Sequence, residues 1–112
     1  MDEQIFETLA KDTLRKIADS IELAAQAADS DLDVDLDNSV LTIELENDQS
    51  FLINKHAPLK QIWVSSPVSG ASHYVWKEET CDWICTRRGK SLAETLVQEL
   101  LDTAGIQIIL DK

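Results

Sequence analysis

The sequence predicts an α+β fold: a two-layer sandwich in which an antiparallel sheet of about six strands carries an N-terminal and a C-terminal helix on one face. Three observations predict it. Apolar residues recur at three- and four-residue steps over residues 2–28, the period of a helix with one buried stripe. From residue 31 the period changes to two, as in strands with one buried face. Ser91 and Glu94 then form a capping box, which opens a second helical segment. Helix, strands and helix in that order favour a sandwich around one core.

The first helix is predicted over residues 2–28, a span without Gly or Pro. Its apolar residues fall into one stripe, which we expect to pack on the sheet. The stripe consists of Phe6, Leu9, Ala10, Thr13, Leu14, Ile17, Ile21, Ala24 and Ala28.

Three strands are predicted next, joined by short polar turns. Residues 31–37, DLDVDLD, place three apolar side chains on one face and four aspartates on the other. Residues 40–46 and 50–55 follow, and the short turns favour an antiparallel meander. Further strands are predicted at 60–65, 73–77 and 82–87, with residues 66–72 as a loop marked by Pro67 and Gly70.

The second helix is predicted from the N-cap Ser91 to about Ala104, with Gly105 as its C-cap. Residues 106–110 are apolar, and we expect them to fold back between the helices or along the sheet.

Length and composition narrow the class of protein. A chain of 112 residues favours a single domain, residues 1–112. The formal net charge of -11 disfavours nucleic acid as a partner. The N-terminus resembles neither a secretory signal nor a transit peptide, and no apolar run is long enough to span a bilayer. Two cysteines, Cys81 and Cys85, are too few for a disulfide framework. These features predict a cytoplasmic protein without a membrane partner.

The negative charge is concentrated at the start of the chain. Residues 1–37 contain eleven acidic and three basic side chains, a net charge of −8. Carboxylates are hard ligands and suit iron, magnesium, calcium or manganese ions, although ligands spread along a surface bind weakly. Equally, the charges could form a solvated face that blocks edge-to-edge association, or a surface for a basic partner. The candidate metal ligands, named here the acidic ridge, are Glu3, Glu7, Asp12, Asp19, Glu22, Asp29, Asp31, Asp33 and Asp35.

Trp63 is the second candidate feature. If Ile62 and Val64 face the core, alternation places Trp63 on the outer face of the sheet. An outward Trp beside polar groups is typical of a protein-binding hot spot, although the ring could instead pack under the Pro67 loop. His56 and His73 are candidate metal ligands only as isolated residues. No catalytic triad, acid–base pair or phosphate loop is found in the sequence.

Residues 54–70, NKHAPLKQIWVSSPVSG, resemble the signature of the frataxin family. The match comprises a Pro at 58, a Gln-hydrophobic-Trp step at 61–63 and a Ser-Pro-x-Ser-Gly loop at 66–70. The resemblance extends to the acidic first helix and to the Ser91-Leu92 start of the last helix. His56, Ala71 and His73 depart from the pattern, because the family usually has Gln, Pro and, in mitochondrial members, Arg there.

The resemblance implies a frataxin-like sandwich that binds iron (Fe²⁺/Fe³⁺) weakly, with other divalent cations as alternatives. It implies a regulatory or partner role in iron–sulfur cluster assembly, with a cysteine desulfurase and a scaffold protein as partners. Ferroxidase or iron-storage activity on the same ridge is the alternative. We expect a monomer or an iron-dependent oligomer, in the bacterial cytoplasm or, for a mature eukaryotic form, the mitochondrial matrix. The implied partner-binding residues are Asn54, Gln61, Trp63, Ser65 and His73.

Overall fold

The computed structural model describes residues 1–110, so residues 111 and 112 fall outside the description below. Two helices flank six strands along the chain. The elements are α1 (Glu3–Ala27), β1 (Asp33–Asp37), β2 (Val40–Glu44), β3 (Ser50–His56), β4 (Gln61–Ser66), β5 (Gly70–Lys77), β6 (Asp82–Cys85) and α2 (Leu92–Ala104).

The six strands form one antiparallel sheet in the order β1-β2-β3-β4-β5-β6, so each strand pairs with its neighbour in sequence. Both helices lie on the same face and bury the apolar side chains that alternate along the strands. Examples are Ile43, Ile53 and Ile62, which have no exposed surface. The predicted fold class is therefore confirmed, and within residues 1–110 no helix or strand covers the opposite face of the sheet.

Helix α1 begins after Asp2, whose carboxylate accepts a hydrogen bond from the Gln4 N–H at 2.7 Å. The predicted stripe is buried along most of its length, but Ala28 lies beyond the helix and is exposed. Ala18 and Ala25 are buried in the helix although the predicted stripe omits them. Both positions fit the same helical period, because Ala18 lies four residues after Leu14 and Ala25 lies four residues after Ile21.

The loop predicted at residues 66–72 is too long. Strand β5 already begins at Gly70, which pairs with Ser66 in the ladder. A positive φ of 76° at Gly70 lets the chain reverse within a tight turn. The Ser66 hydroxyl supports this turn by accepting hydrogen bonds from the N–H groups of Val68 and Ser69.

Other strands begin or end at different residues than predicted, because backbone groups near these boundaries form hydrogen bonds within the loops instead of between strands. Strand β1 begins at Asp33 rather than Asp31, whose N–H donates to the Glu46 carboxylate at 2.9 Å. Strand β2 ends at Glu44 rather than at residue 46. Strand β6 ends at Cys85 rather than at residue 87, because the Gly89 N–H donates to the Cys85 carbonyl and turns the chain.

Helix α2 has the predicted caps. The Ser91 hydroxyl accepts a hydrogen bond from the Glu94 N–H, and Gly105 ends the helix in the left-handed region with φ 67°. Residues 106–110 form no strand, but Ile106 and Ile108 are buried. The Ser20 hydroxyl of α1 donates to the Ile109 carbonyl at 3.0 Å, so the tail folds back on α1. Within residues 1–110, no helix combines the length and apolar character needed to cross a membrane.

Candidate functional site

Part of the acidic ridge lies where the C-terminal half of α1 meets the edge strand β1. Glu22 and Asp29 line an open groove of about 450 Å³ together with the apolar residues Leu32 and Val34. Asp29 adopts φ 54° where the chain leaves α1. Asp33 and Asp35 line a second groove on the outer face of β1. The two grooves share Val34, so carboxylates of the helix end and of the strand border adjoining surface.

Glu44 is an acidic residue of this region that sequence reasoning missed. It is the cross-strand partner of Asp33 and lines the same groove. Two carboxylates directly opposite each other on one sheet face repel, which lowers stability and favours a cation between them. Glu44 follows Asp33 by eleven positions in the sequence, and the two residues meet because of the pairing register of β1 and β2.

The ridge candidates do not form a single compact centre. Glu7 is ion-paired with Lys55 of β3, and Asp12 lines a separate groove beside Trp83 of β6. Glu3 and Asp19 are exposed. Among residues 1–110, no three His, Cys, Asp or Glu side chains are gathered closely enough to hold a metal ion. The arrangement offers scattered carboxylate oxygens, which can attract hard cations without enclosing one.

On the outer face of the sheet, three aromatic rings form one parallel stack, named here the aromatic stack. His56 of β3 stacks on Trp63 of β4 with ring centroids 3.8 Å apart and an interplanar angle of 11°. His73 of β5 stacks on the same indole at 4.3 Å and 10°. The outward direction predicted for Trp63 is confirmed, because its neighbours Ile62 and Val64 are buried. The flanking rings leave the indole half-buried rather than fully exposed.

Polar side chains of the predicted partner-binding set surround the stack. The Trp63 indole N–H donates to the Gln61 side-chain oxygen at 2.8 Å. Asn54 is the cross-strand partner of Trp63 on β3, and its amide donates to the Lys55 carbonyl. Ser65 follows the buried Val64 on β4, so it is exposed on the same outer face as Trp63. The structure therefore brings all five predicted partner-binding residues to one face, and it adds His56.

A buried polar cluster on the opposite side of β4 fixes the turn beside this face. The Ser66 hydroxyl donates to the Glu99 carboxylate of α2 at 2.5 Å, and both residues are buried. Burial also raises the pKa of the nearby Tyr74 phenol, and the charges of Cys85 and Glu99 add to the effect, although hydroxyl groups of Thr95 and Ser72 oppose it. This cluster connects α2 to the β4–β5 turn.

Solved structures with the same architecture define the class of the fold. Frataxin from Psychromonas ingrahamii superposes with a TM-score of 0.85, covering 100% of both chains at 27% identity. A trimeric frataxin from Saccharomyces cerevisiae, solved in complex with ferrous ion, superposes with a TM-score of 0.76 at 31% identity, covering 94% of this chain and 88% of the yeast chain. The six-stranded sheet with two helices on one face is thus a frataxin-type sandwich.

Sequence relationships identify the family. The family model of the frataxin-like domain matches residues 1–106. The iron–sulfur cluster assembly protein CyaY of Pseudomonas fluorescens is 33% identical, over 96% of this chain and 93% of the relative. The mitochondrial frataxin of Arabidopsis thaliana is 35% identical over 94% of this chain, which spans 57% of that relative. This protein therefore belongs to the frataxin family.

Proposed function

We propose that this protein is an iron-binding partner protein of iron–sulfur cluster assembly. Its bacterial relatives carry that assembly role in their names, and a related yeast frataxin was solved with ferrous ion. In the proposal, the acidic ridge holds iron weakly as cargo, and the face around the aromatic stack docks on a cysteine desulfurase–scaffold complex. By analogy with its bacterial relatives, the protein would act in the cytoplasm; by analogy with the mitochondrial frataxin of the plant, it would act in the mitochondrial matrix.

The observation that carries the proposal is the separation of two chemically different surfaces on one small domain. Acidic side chains border the grooves at α1 and β1, whereas the outer face of β3–β5 around the aromatic stack carries uncharged polar groups and aromatic rings. The first surface suits a hard cation, and the second suits a protein interface, where aromatic residues are enriched. One domain can therefore hold iron and a partner at the same time.

A set of matched charge variants tests the iron-binding half. Asp19→Asn, Glu22→Gln and Asp31→Asn together remove three exposed ridge charges. Glu78→Gln, Glu79→Gln and Asp102→Asn remove three exposed charges elsewhere and serve as the control. Anaerobic calorimetry with Fe²⁺ should show weaker binding for the ridge variant alone. Equal weakening in both variants would mean that only net charge matters, and unchanged binding in the ridge variant would refute the assignment.

Ferroxidase activity on the ridge is the alternative. Di-iron oxidation centres in helical bundles use bridging carboxylates together with His ligands in one compact site. The two histidines of this chain lie in the aromatic stack on β3 and β5, away from the groove that Glu22 and Asp29 line. Iron binding without oxidation is therefore the stronger proposal.

A further inference from the structure

The aromatic stack covers both faces of the Trp63 indole. His56 comes from β3 and His73 from β5, the strands on either side of β4, and each ring is nearly parallel to the indole. Two imidazoles at centroid distances of 3.8 and 4.3 Å cannot share one face of the ring without overlapping, so they take opposite faces. A partner can reach the indole face only by displacing an imidazole.

Imidazole is the side chain whose charge ordinarily changes between about pH 5 and 8. A cation over an aromatic face is attracted to it, so a protonated imidazole holds the indole more strongly than a neutral one. Burying that cation in an interface without a carboxylate also costs free energy. Both effects act in the same direction: they disfavour partner contact with Trp63 when the imidazoles are charged.

No carboxylate of the sheet stands beside the stack to offset the charge. On β3–β5 the outward neighbours are uncharged: Asn54, Gln61, Ser65 and Val75. In the row of cross-strand partners that contains Trp63, the nearest acid is Asp37, three strands away or roughly 14 Å.

Charged groups on the flanking segments are mostly basic. They comprise Lys60 in the β3–β4 turn, Lys77 at the end of β5 and Arg87 and Arg88 after β6, followed by the acids Glu78 and Glu79 beyond Lys77. Lys55 has an ion-pair partner, Glu7 of α1. The helices pack on the other face of the sheet. Among residues 1–110, neither imidazole has an ion-pair partner, so protonation of the stack adds charge that no carboxylate of these residues neutralises.

We propose that His56 and His73 are positioning residues of the docking face, which hold Trp63 between them and make its availability to a partner depend on their charge. The inference rests on the docking function proposed above. It adds His56 to the docking face. It also predicts that binding to the partner releases protons from the imidazoles, so the affinity for the partner should fall as the solution is acidified from pH 8 to pH 6.

The first arm of the test uses the isolated protein and needs no partner. Nuclear magnetic resonance would follow the three indole N–H signals and the Cε1–H signals of the two imidazoles across this pH range. The Trp63 indole signal should move together with the imidazole signals. The indole N–H of Trp83, which donates to the Thr13 hydroxyl at 2.9 Å, is the internal control, and its signal should not shift over this pH range. A Trp63 signal that ignores imidazole titration would overturn the inference.

The second arm compares the parent with the double variant His56→Gln, His73→Gln for binding to the desulfurase–scaffold complex. Parent affinity should fall by about two- to fivefold between pH 8 and pH 6, the range expected from an exposed cation–π contact. The variant should lose most of that dependence. An equal pH dependence in both proteins would overturn the inference, because the partner would then be its source. Absence of binding by the parent at both pH values would instead refute the docking function, and the inference with it.

Discussion

At the residue scale, the docking face that we propose is centred on Trp63. Trp63→Ala removes a half-buried ring that stacks on two imidazoles, so we expect the free energy of unfolding to fall by about 1–2 kcal/mol. Partner binding should weaken by about 2 kcal/mol or more, roughly thirtyfold. Urea denaturation and a binding titration on the same variant measure the two quantities.

The matched control for this variant is Leu23→Ala. Leu23 lies on α1 and is 69% exposed, so truncating it should change neither quantity appreciably. Undiminished partner binding by Trp63→Ala would contradict the docking assignment. A loss of stability well above 3 kcal/mol would instead show that Trp63 is a structural residue.

Tyr74 gives a pH-dependent prediction at the same scale. Its pKa is raised in the folded protein, chiefly by burial, from the ordinary value of 10.0. The stabilisation linked to this phenol is therefore complete below about pH 10 and is lost as the pH rises toward the folded pKa. The free energy of unfolding of the parent should therefore fall relative to that of Tyr74→Phe between pH 9 and pH 11. A difference that stays constant in urea denaturation across this range would refute the linkage.

At the element scale, Glu99 connects helix α2 to the β4–β5 turn. Glu99→Ala removes the acceptor of the buried Ser66 hydroxyl, which itself binds two N–H groups of the turn. We expect a loss of about 2–3 kcal/mol and faster hydrogen exchange at Val68 and Ser69. Glu99→Gln keeps an acceptor and should lose less. Exchange that stays at the parent rate in Glu99→Ala would show that α2 does not hold the turn.

Sequence periodicity could predict the elements, because each helix and strand carries its own buried face. The boundaries of the strands were harder to predict from the sequence. The start of β5 depends on the positive φ of Gly70, and the start of β1 depends on the hydrogen bond between the Asp31 N–H and the Glu46 carboxylate. The aromatic stack lay beyond prediction, since His56 and Trp63 are seven positions apart and meet only through the β3–β4 register.

The same distinction applies to the acidic ridge. Its charge and its candidate members follow from the acidic residues that the sequence places along α1 and β1. Their division into separate grooves, the ion pair that occupies Glu7 and the contribution of Glu44 are tertiary facts. They depend on which strand lies beside α1 and on the pairing of β1 with β2, which local patterns do not specify.

At the scale of the whole molecule, the net charge of -11 works against the compact state. Neutralising Asp19, Glu22 and Asp31 should therefore raise the free energy of unfolding at low salt by about 1 kcal/mol. The gain should shrink at high salt, because mobile ions screen exposed charges. Thermal denaturation at two salt concentrations measures both effects. A gain that is the same at both concentrations would contradict the electrostatic explanation.

The most direct measurement of the central claim is a titration of the protein with Mn²⁺ as a paramagnetic stand-in for Fe²⁺, followed by amide nuclear magnetic resonance. If the acidic ridge holds the cation, signals of Glu22, Asp29, Asp33 and Glu44 should broaden first. Signals around the aromatic stack should remain sharp until a large excess is reached. Early broadening at His56 and His73, or uniform broadening over the surface, would contradict the account of two separate surfaces.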